Sequence, residues 1–140
     1  MIYTLIALLV IIVVAVLVSL SNPLRKSQEE IRGNMLKLTP VGMSMEDVLK
    51  VIESNKKWET MYVSHEHGIP QGELGKAGTP IGEKSIRAHI GEYTGKWYFD
   101  GNILHTIYIA SLKEYVDVFW AFDEDSKLIE IYVVKSAAGF

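Results

Sequence analysis

The sequence predicts an α+β protein in which an N-terminal transmembrane helix is followed by two short helices packed on an antiparallel β-meander. Three observations lead to this fold class. An uncharged apolar run opens the chain, two helix-capping patterns follow it, and the second half alternates apolar and polar residues. The 140 residues suffice for one domain beyond the first helix, and the absence of cysteine excludes disulfides, thiol catalysis and Cys-based zinc sites.

The apolar run at residues 2–20 contains no charged residue, no proline and no glycine. As a helix it would be about 28 Å long, close to the ~30 Å hydrocarbon core of a bilayer. A cleaved secretory signal needs a basic segment before a shorter apolar core. Neither is present, so we predict that residues 1–21 are an uncleaved transmembrane anchor. The alternative is a cleaved signal ending near Ser19 or Ser21.

The charges that flank the apolar run predict its orientation. Arg25, Lys26, Arg32 and Lys37 follow the run, and no Lys or Arg precedes it. Because basic flanks stay in the cytoplasm, this pattern predicts a single-pass protein of the cell membrane with a cytoplasmic domain. The alternative is that these charges contact lipid headgroups of whichever leaflet they meet.

Residues 22–38 are predicted to form a juxtamembrane helix or linker. Ser27 and Glu30 have the spacing of a capping box. Apolar residues recur along this segment at near-heptad spacing: Leu24, Ile31, Met35 and Leu38. This stripe suits a linker helix that packs on the domain. It also suits a stalk through which the protein would form a homodimer.

Residues 39–140 are predicted to form the α+β domain. Ser44 and Asp47 mark the start of a helix whose apolar face consists of Met45, Val48, Leu49 and Ile52. Residues 65–82 contain five glycines and two prolines. We expect them to form a flexible loop that contributes little to stability.

Strand-like segments lie at residues 58–64, from residue 85 onward, and at residues 103–110, 115–122 and 127–135. The last two segments are joined by about four residues, which predicts an antiparallel hairpin. Alternation assigns one face of this hairpin to the core: Val116, Val118, Trp120 and Phe122, opposed by Ile129, Ile131 and Val133. The other face is expected to be wet, with Tyr115, Asp117, Glu130 and Tyr132.

The helix start at residues 41–48, Val-Gly-Met-Ser-Met-Glu-Asp-Val, resembles that of the small envelope proteins of the BamE/SmpA-like family, which have a β-lactamase-inhibitor-like fold. Residues 118–128 are similar to the last hairpin of that family. The chain lacks the lipid-bearing cysteine of the family's lipoproteins and has Ile-Glu-Ser-Asn at residues 52–55, where Leu-Gly-x-Pro often closes the family's helix. The resemblance implies a fold, a scaffolding role and an extracytoplasmic domain, and it carries over no functional residue.

No motif for catalysis or for cofactor binding occurs in the chain, so we expect a protein-interaction or scaffolding module that is not an enzyme. Its expected partners are the lipid bilayer and a protein in or at the membrane. Aromatic residues are the candidates for partner contact: Trp97, Tyr98, Tyr115 and Tyr132. Residues 58–140 carry twelve acidic and seven basic side chains, which argues against nucleic acid.

The alternative function is that of a metal-binding protein or a metal-dependent hydrolase. It would use the pair His65 and His67, whose side chains point to the same side of an extended segment. His89 and His105 are further ligands by residue type alone.

Overall fold

A computed structural model describes residues 2–94 and 112–137, without the side chains of residues 19 and 20. The chain begins with helix α1 (Ile2–Leu20) and a short 3-10 turn (Pro23–Arg25), followed by helices α2 (Gln28–Leu38) and α3 (Met45–Ser54). Strands β1 (Glu59–Ser64), β2 (Lys84–Thr94), β3 (Lys113–Phe122) and β4 (Leu128–Ala137) form one antiparallel sheet in the order β1-β2-β3-β4. The predicted α+β class is therefore confirmed. The strand predicted at residues 103–110 lies outside the described residues.

Helix α1 is continuous over the predicted residues, and every described side chain from Ile2 to Val18 is exposed. Within the described part of the chain, no helix combines the length and the apolar character needed to cross a membrane. The prediction of a helix at this position is confirmed, but the prediction that it spans the bilayer is not supported.

Helices α2 and α3 begin at the predicted caps. Ser27 and Glu30 form a complete capping box at α2, and Ser44 Oγ accepts a hydrogen bond from the backbone N–H of Asp47 at α3. Helix α2 buries Ile31 and Met35 in the domain core. The stripe that would serve a homodimer is therefore largely used inside the domain.

The core lies between the two short helices and one face of the sheet. Val48 and Ile52 of α3 belong to the same buried cluster as Trp120 of β3. The indole N–H of Trp120 donates to Thr39 Oγ1 at 3.0 Å, and this hydroxyl donates to the backbone carbonyl of Met35 at 2.9 Å. This chain of hydrogen bonds satisfies the buried polar atoms where α2 ends above the sheet.

One predicted core position is wrong. Ala121 pairs with Glu130 and Phe122 pairs with Leu128, so Ile129 is the extra residue of a β-bulge and is 40 % exposed. Leu128 takes the buried place instead. The bulge shifts the alternation of side chains by one residue, which a pattern of strict period 2 does not reveal.

The second face of the sheet is covered in part, contrary to the expectation of a wet face. Phe119 and Ala121 are buried there under Ile69, which belongs to the segment expected to be a flexible loop. Ile69 forms an antiparallel bridge with Ile81, and a 3-10 turn (Gln71–Leu74) lies between them. Ile69, Leu74 and Ile81 of residues 65–82 therefore pack on the domain, where they cover apolar side chains of β3, while residues 75–80 are exposed.

Candidate functional site

The short segment after α1 is fastened to the end of the sheet where β2 finishes. Gly91 has a φ of +143°, and a Cβ at this position would lie 2.7 Å from Leu24 Cδ1. This φ is one that residues with a side chain rarely adopt, so glycine is favoured where the 3-10 turn approaches β2. The guanidinium of Arg25 lies 5.3 Å from the centre of the Tyr93 ring and donates to the carbonyl of Thr94.

Lys135 of β4 completes the attachment. Its Nζ donates to the carbonyls of Leu24 at 2.7 Å and Lys26 at 2.5 Å, and to the hydroxyl of Tyr93 at 3.2 Å. Burial and a hydrogen bond to Glu114 raise the pKa of Tyr93 to about 12. The phenol is therefore neutral at physiological pH and remains a hydrogen-bond donor. We call Leu24, Arg25, Gly91, Tyr93 and Lys135 the junction clamp.

A groove of about 690 Å³ opens beside the junction clamp. Its apolar lining comes from the last turns of α1, the 3-10 turn, α2, β2 and the residue before β1: Val18, Pro23, Leu24, Ile31, Met35, Trp58 and Ile90. Asn34, Asn55, Lys57 and Glu92 contribute polar atoms. The volume lies within the range of about 300–1,000 Å³ that is typical of small-molecule sites.

The second face of the sheet carries a charged cluster centred on Asp117, which is 8 % exposed. One carboxylate oxygen accepts from Arg87 Nη2 at 2.7 Å, and the other lies 2.9 Å from His89 Nδ1. Arg87 Nη1 also donates to Glu73 at 2.9 Å, so the cluster fastens residues 71–74 to the sheet.

Burial opposes the charge of Arg87, but the hydrogen bond and charge of Asp117 and the charge of Glu73 outweigh it, so the pKa of Arg87 is raised. An aspartate that orients a histidine is also part of the serine hydrolase triad. Among the described residues, however, His89 hydrogen-bonds only to Asp117. The cluster therefore has a structural explanation, and in the described ranges no hydroxyl group is hydrogen-bonded to His89.

The structure separates the residues that the sequence singled out for contact. Tyr115 lies against His89, with ring centres 5.6 Å apart, and Tyr132 lies under Lys76 Nζ at 5.5 Å. Both tyrosines are partly buried rather than free. Trp97 and Tyr98 lie outside the described residues.

His65 and His67 are exposed beside a shallow depression. Within residues 2–94 and 112–137, no three His, Asp or Glu side chains are arranged to hold a metal ion. His89 is engaged by Asp117 instead, and His105 lies outside the described residues.

Sequence reasoning missed the junction clamp and the charged cluster. A signal for the cluster exists, because Asp117 stands between Val116 and Val118 and Arg87 between Ile86 and Ala88. A charge inside an apolar strand needs a partner, and these two have opposite signs. The clamp has no such local signal, since its members come from three distant parts of the chain, and Leu24 and Lys135 are 111 residues apart.

No known protein family, curated protein or solved structure matches this chain.

Proposed function

We propose that the protein is a membrane-anchored interaction module: α1 inserts into the bilayer as a single-pass anchor, and the domain binds a protein partner at the cytoplasmic surface. The observation that carries this proposal is the exposure of α1. Fourteen large apolar side chains of this helix are exposed in the isolated chain, from Ile2 to Val18. Transfer of each of these side chains from water to lipid is favourable by about 1–1.5 kcal/mol, so insertion of the helix would gain on the order of 10–20 kcal/mol.

Insertion requires that these side chains leave water, and a helix of 19 residues lies within the usual range of about 17–25 for a bilayer helix. The junction clamp then determines where the domain lies. Because Leu24 and Arg25 are fixed to the end of the sheet, this end faces the headgroups. Lys26 follows Arg25 directly, is exposed, and suits contact with anionic lipid headgroups.

A surface for the protein partner lies at the other end of the sheet. Leu38, Val41 and Ile129 are exposed by 50 %, 63 % and 40 %. Val41 and Ile129 are adjacent along the chain to residues that bond to one another, since Gly42 N–H donates to the carbonyl of Leu128 at 2.8 Å. Leu38 precedes Val41 by three residues. We call these three residues the distal patch. Along β4 it lies about 20 Å from Lys135. An exposed apolar group of this kind is typical of a protein contact.

Flotation of the full chain with phospholipid vesicles tests the anchor. The wild-type chain should float and resist carbonate extraction. The double variant Ile11→Lys, Val14→Lys should lose most of this binding, since each lysine at the centre of a bilayer helix costs about 2.5–3.5 kcal/mol. Ser54→Lys, which adds a charge to the domain surface, is the matched control. A wild-type chain that stays with the soluble fraction contradicts the proposal.

Photo-crosslinking in native membranes tests the partner site. A photoreactive residue at position 41 should yield one discrete protein adduct, and Leu38→Glu should abolish it. The same residue at position 50, exposed on α3, is the control and should give none. Equal labelling from both positions, or no adduct from position 41, would show that the distal patch is not the contact surface.

A further inference from the structure

We propose that the groove beside the junction clamp binds one acyl chain of a membrane phospholipid, whose phosphate is held by Lys57. This inference rests on the proposed insertion of α1. It adds a bound lipid ligand to the proposed contacts of α1 and Lys26 with the bilayer. The evidence is the position, the lining and the charge of the groove.

The position links the groove to the bilayer. Its lining includes Val18 in the last full turn of α1, and then Asn22, Pro23 and Leu24. If α1 is inserted, these residues lie where the chain emerges from the bilayer. The mouth of the groove therefore adjoins the leaflet surface, and a lipid can enter it without passing through water.

The lining suits a hydrocarbon chain. Ile31, Met35 and Ile90 are buried side chains that present their remaining surface to the groove, and Trp58 forms one wall. An acyl chain has no hydrogen-bonding group to satisfy, so its transfer into this lining carries no polar desolvation cost. The methionine side chain adapts to a flexible ligand.

The charge at the rim suits a phosphate group. Lys57 lines the groove and is exposed. Its backbone N–H donates to Asn55 Oδ1 at 3.2 Å, which fixes the turn that presents the side chain. Glu92, the acidic residue of the rim, is engaged by Lys113 at 2.6 Å. Among the described residues that line the groove, the cation of Lys57 is thus available for the phosphate of a phospholipid headgroup.

Photolabelling of the full chain in vesicles tests this site. The vesicles contain a trace of phosphatidylcholine that carries a diazirine in one acyl chain, and adducts are mapped by peptide mass spectrometry. We expect two groups of adducts: one on α1 and one on Trp58 and Met35. Asn34→Phe fills the groove and should lower the second group about tenfold relative to the first. Lys37→Phe, an exposed position on the same helix, should leave the ratio unchanged.

The α1 adducts separate the two proposals. Their absence would refute insertion itself, whereas adducts on α1 without any on Trp58 or Met35 would refute the groove alone. Labelling of the groove that persists in Asn34→Phe, with an unchanged melting curve, would also overturn the proposal. If Asn34→Phe alters the melting curve, Asn34→Leu replaces it. A diazirine fatty acid forms the second arm, and groove labelling by this probe alone would overturn the assignment to a phospholipid.

Discussion

Truncating Ile69 to alanine should destabilise the domain strongly, although this residue lies in a glycine-rich segment that sequence composition assigns to a flexible loop. Its side chain is fully buried against Phe119 and Ala121 on the second face of the sheet. The truncation removes buried apolar area and leaves a cavity under the segment. The neighbours cannot close it freely, because Ile69 is held by a bridge to Ile81.

The expected magnitude follows from that burial. Replacing a fully buried isoleucine by alanine costs about 2–5 kcal/mol. For a domain of this size, 1 kcal/mol lowers the melting temperature by about 4 °C, so the decrease should be roughly 8–20 °C. Gly68→Ala should act in the same direction, since its Cβ would lie 2.1 Å from the carbonyl oxygen of Gly82.

The assay is thermal unfolding of the full chain in mild detergent, followed by near-UV circular dichroism. This signal reports the packing of aromatic side chains and excludes the contribution of α1 helicity. Met61→Ala, at a residue 52 % exposed on β1, is the control and should change stability by less than about 0.5 kcal/mol. If Ile69→Ala matches this control, residues 65–82 do not pack as described and the reasoning fails.

Three further predictions concern other contacts. Thr39→Val should lower the free energy of unfolding by about 1–3 kcal/mol, because it leaves the buried indole N–H of Trp120 without an acceptor. A double-mutant cycle with Trp120→Phe should show that the two substitutions are energetically coupled. Additive effects would refute the hydrogen bond. Although burial raises the pKa of Glu130, hydrogen bonds from Arg32 and a backbone N–H, with the charge of Arg32, lower it overall. The ion pair therefore stabilises the fold above the unfolded pKa, near 4.5, and this contribution is lost as pH falls through the lower folded pKa. The difference in melting temperature between wild type and Glu130→Gln should accordingly shrink on acidification, and a difference independent of pH would contradict the assignment. Finally, Lys56→Cys supplies the sole thiol of the chain, and in intact cells an impermeant maleimide should label it only after permeabilisation; labelling of intact cells would place the domain outside.

The helices and strands were predictable because their signals are local. The Ser27 and Ser44 caps lie within three residues of their partners, and alternation in β3 identifies Val118 and Trp120 as core. Each of these patterns reflects the geometry of one element. The transmembrane assignment went beyond local geometry, because it depended on the environment of α1 as well as on its conformation.

The second face of the sheet was not predictable in the same way. The sequence at residues 65–82 has few apolar side chains. The conformational entropy cost of ordering the segment exceeds the free energy gained by burying those side chains alone. Its packing also depends on partners in other strands: Phe119 of β3 and the ion pair between Glu73 and Arg87. The bulge at Ile129 is equally nonlocal, since it is defined by pairing with β3.

The junction clamp limits how far the domain can reach. Only Ser21 and Asn22 separate α1 from the 3-10 turn that is fixed to the sheet, and two residues span at most about 7 Å. A flexible linker would let the domain sample a hemisphere above the membrane, with its local concentration diluted over that volume. Here the 3-10 turn is fixed to the sheet, so these two residues are all that connects the helix to the attached part of the chain. If α1 inserts into the bilayer as proposed, a protein partner would have to present its complementary surface close to the bilayer, and the two would meet by lateral diffusion in two dimensions.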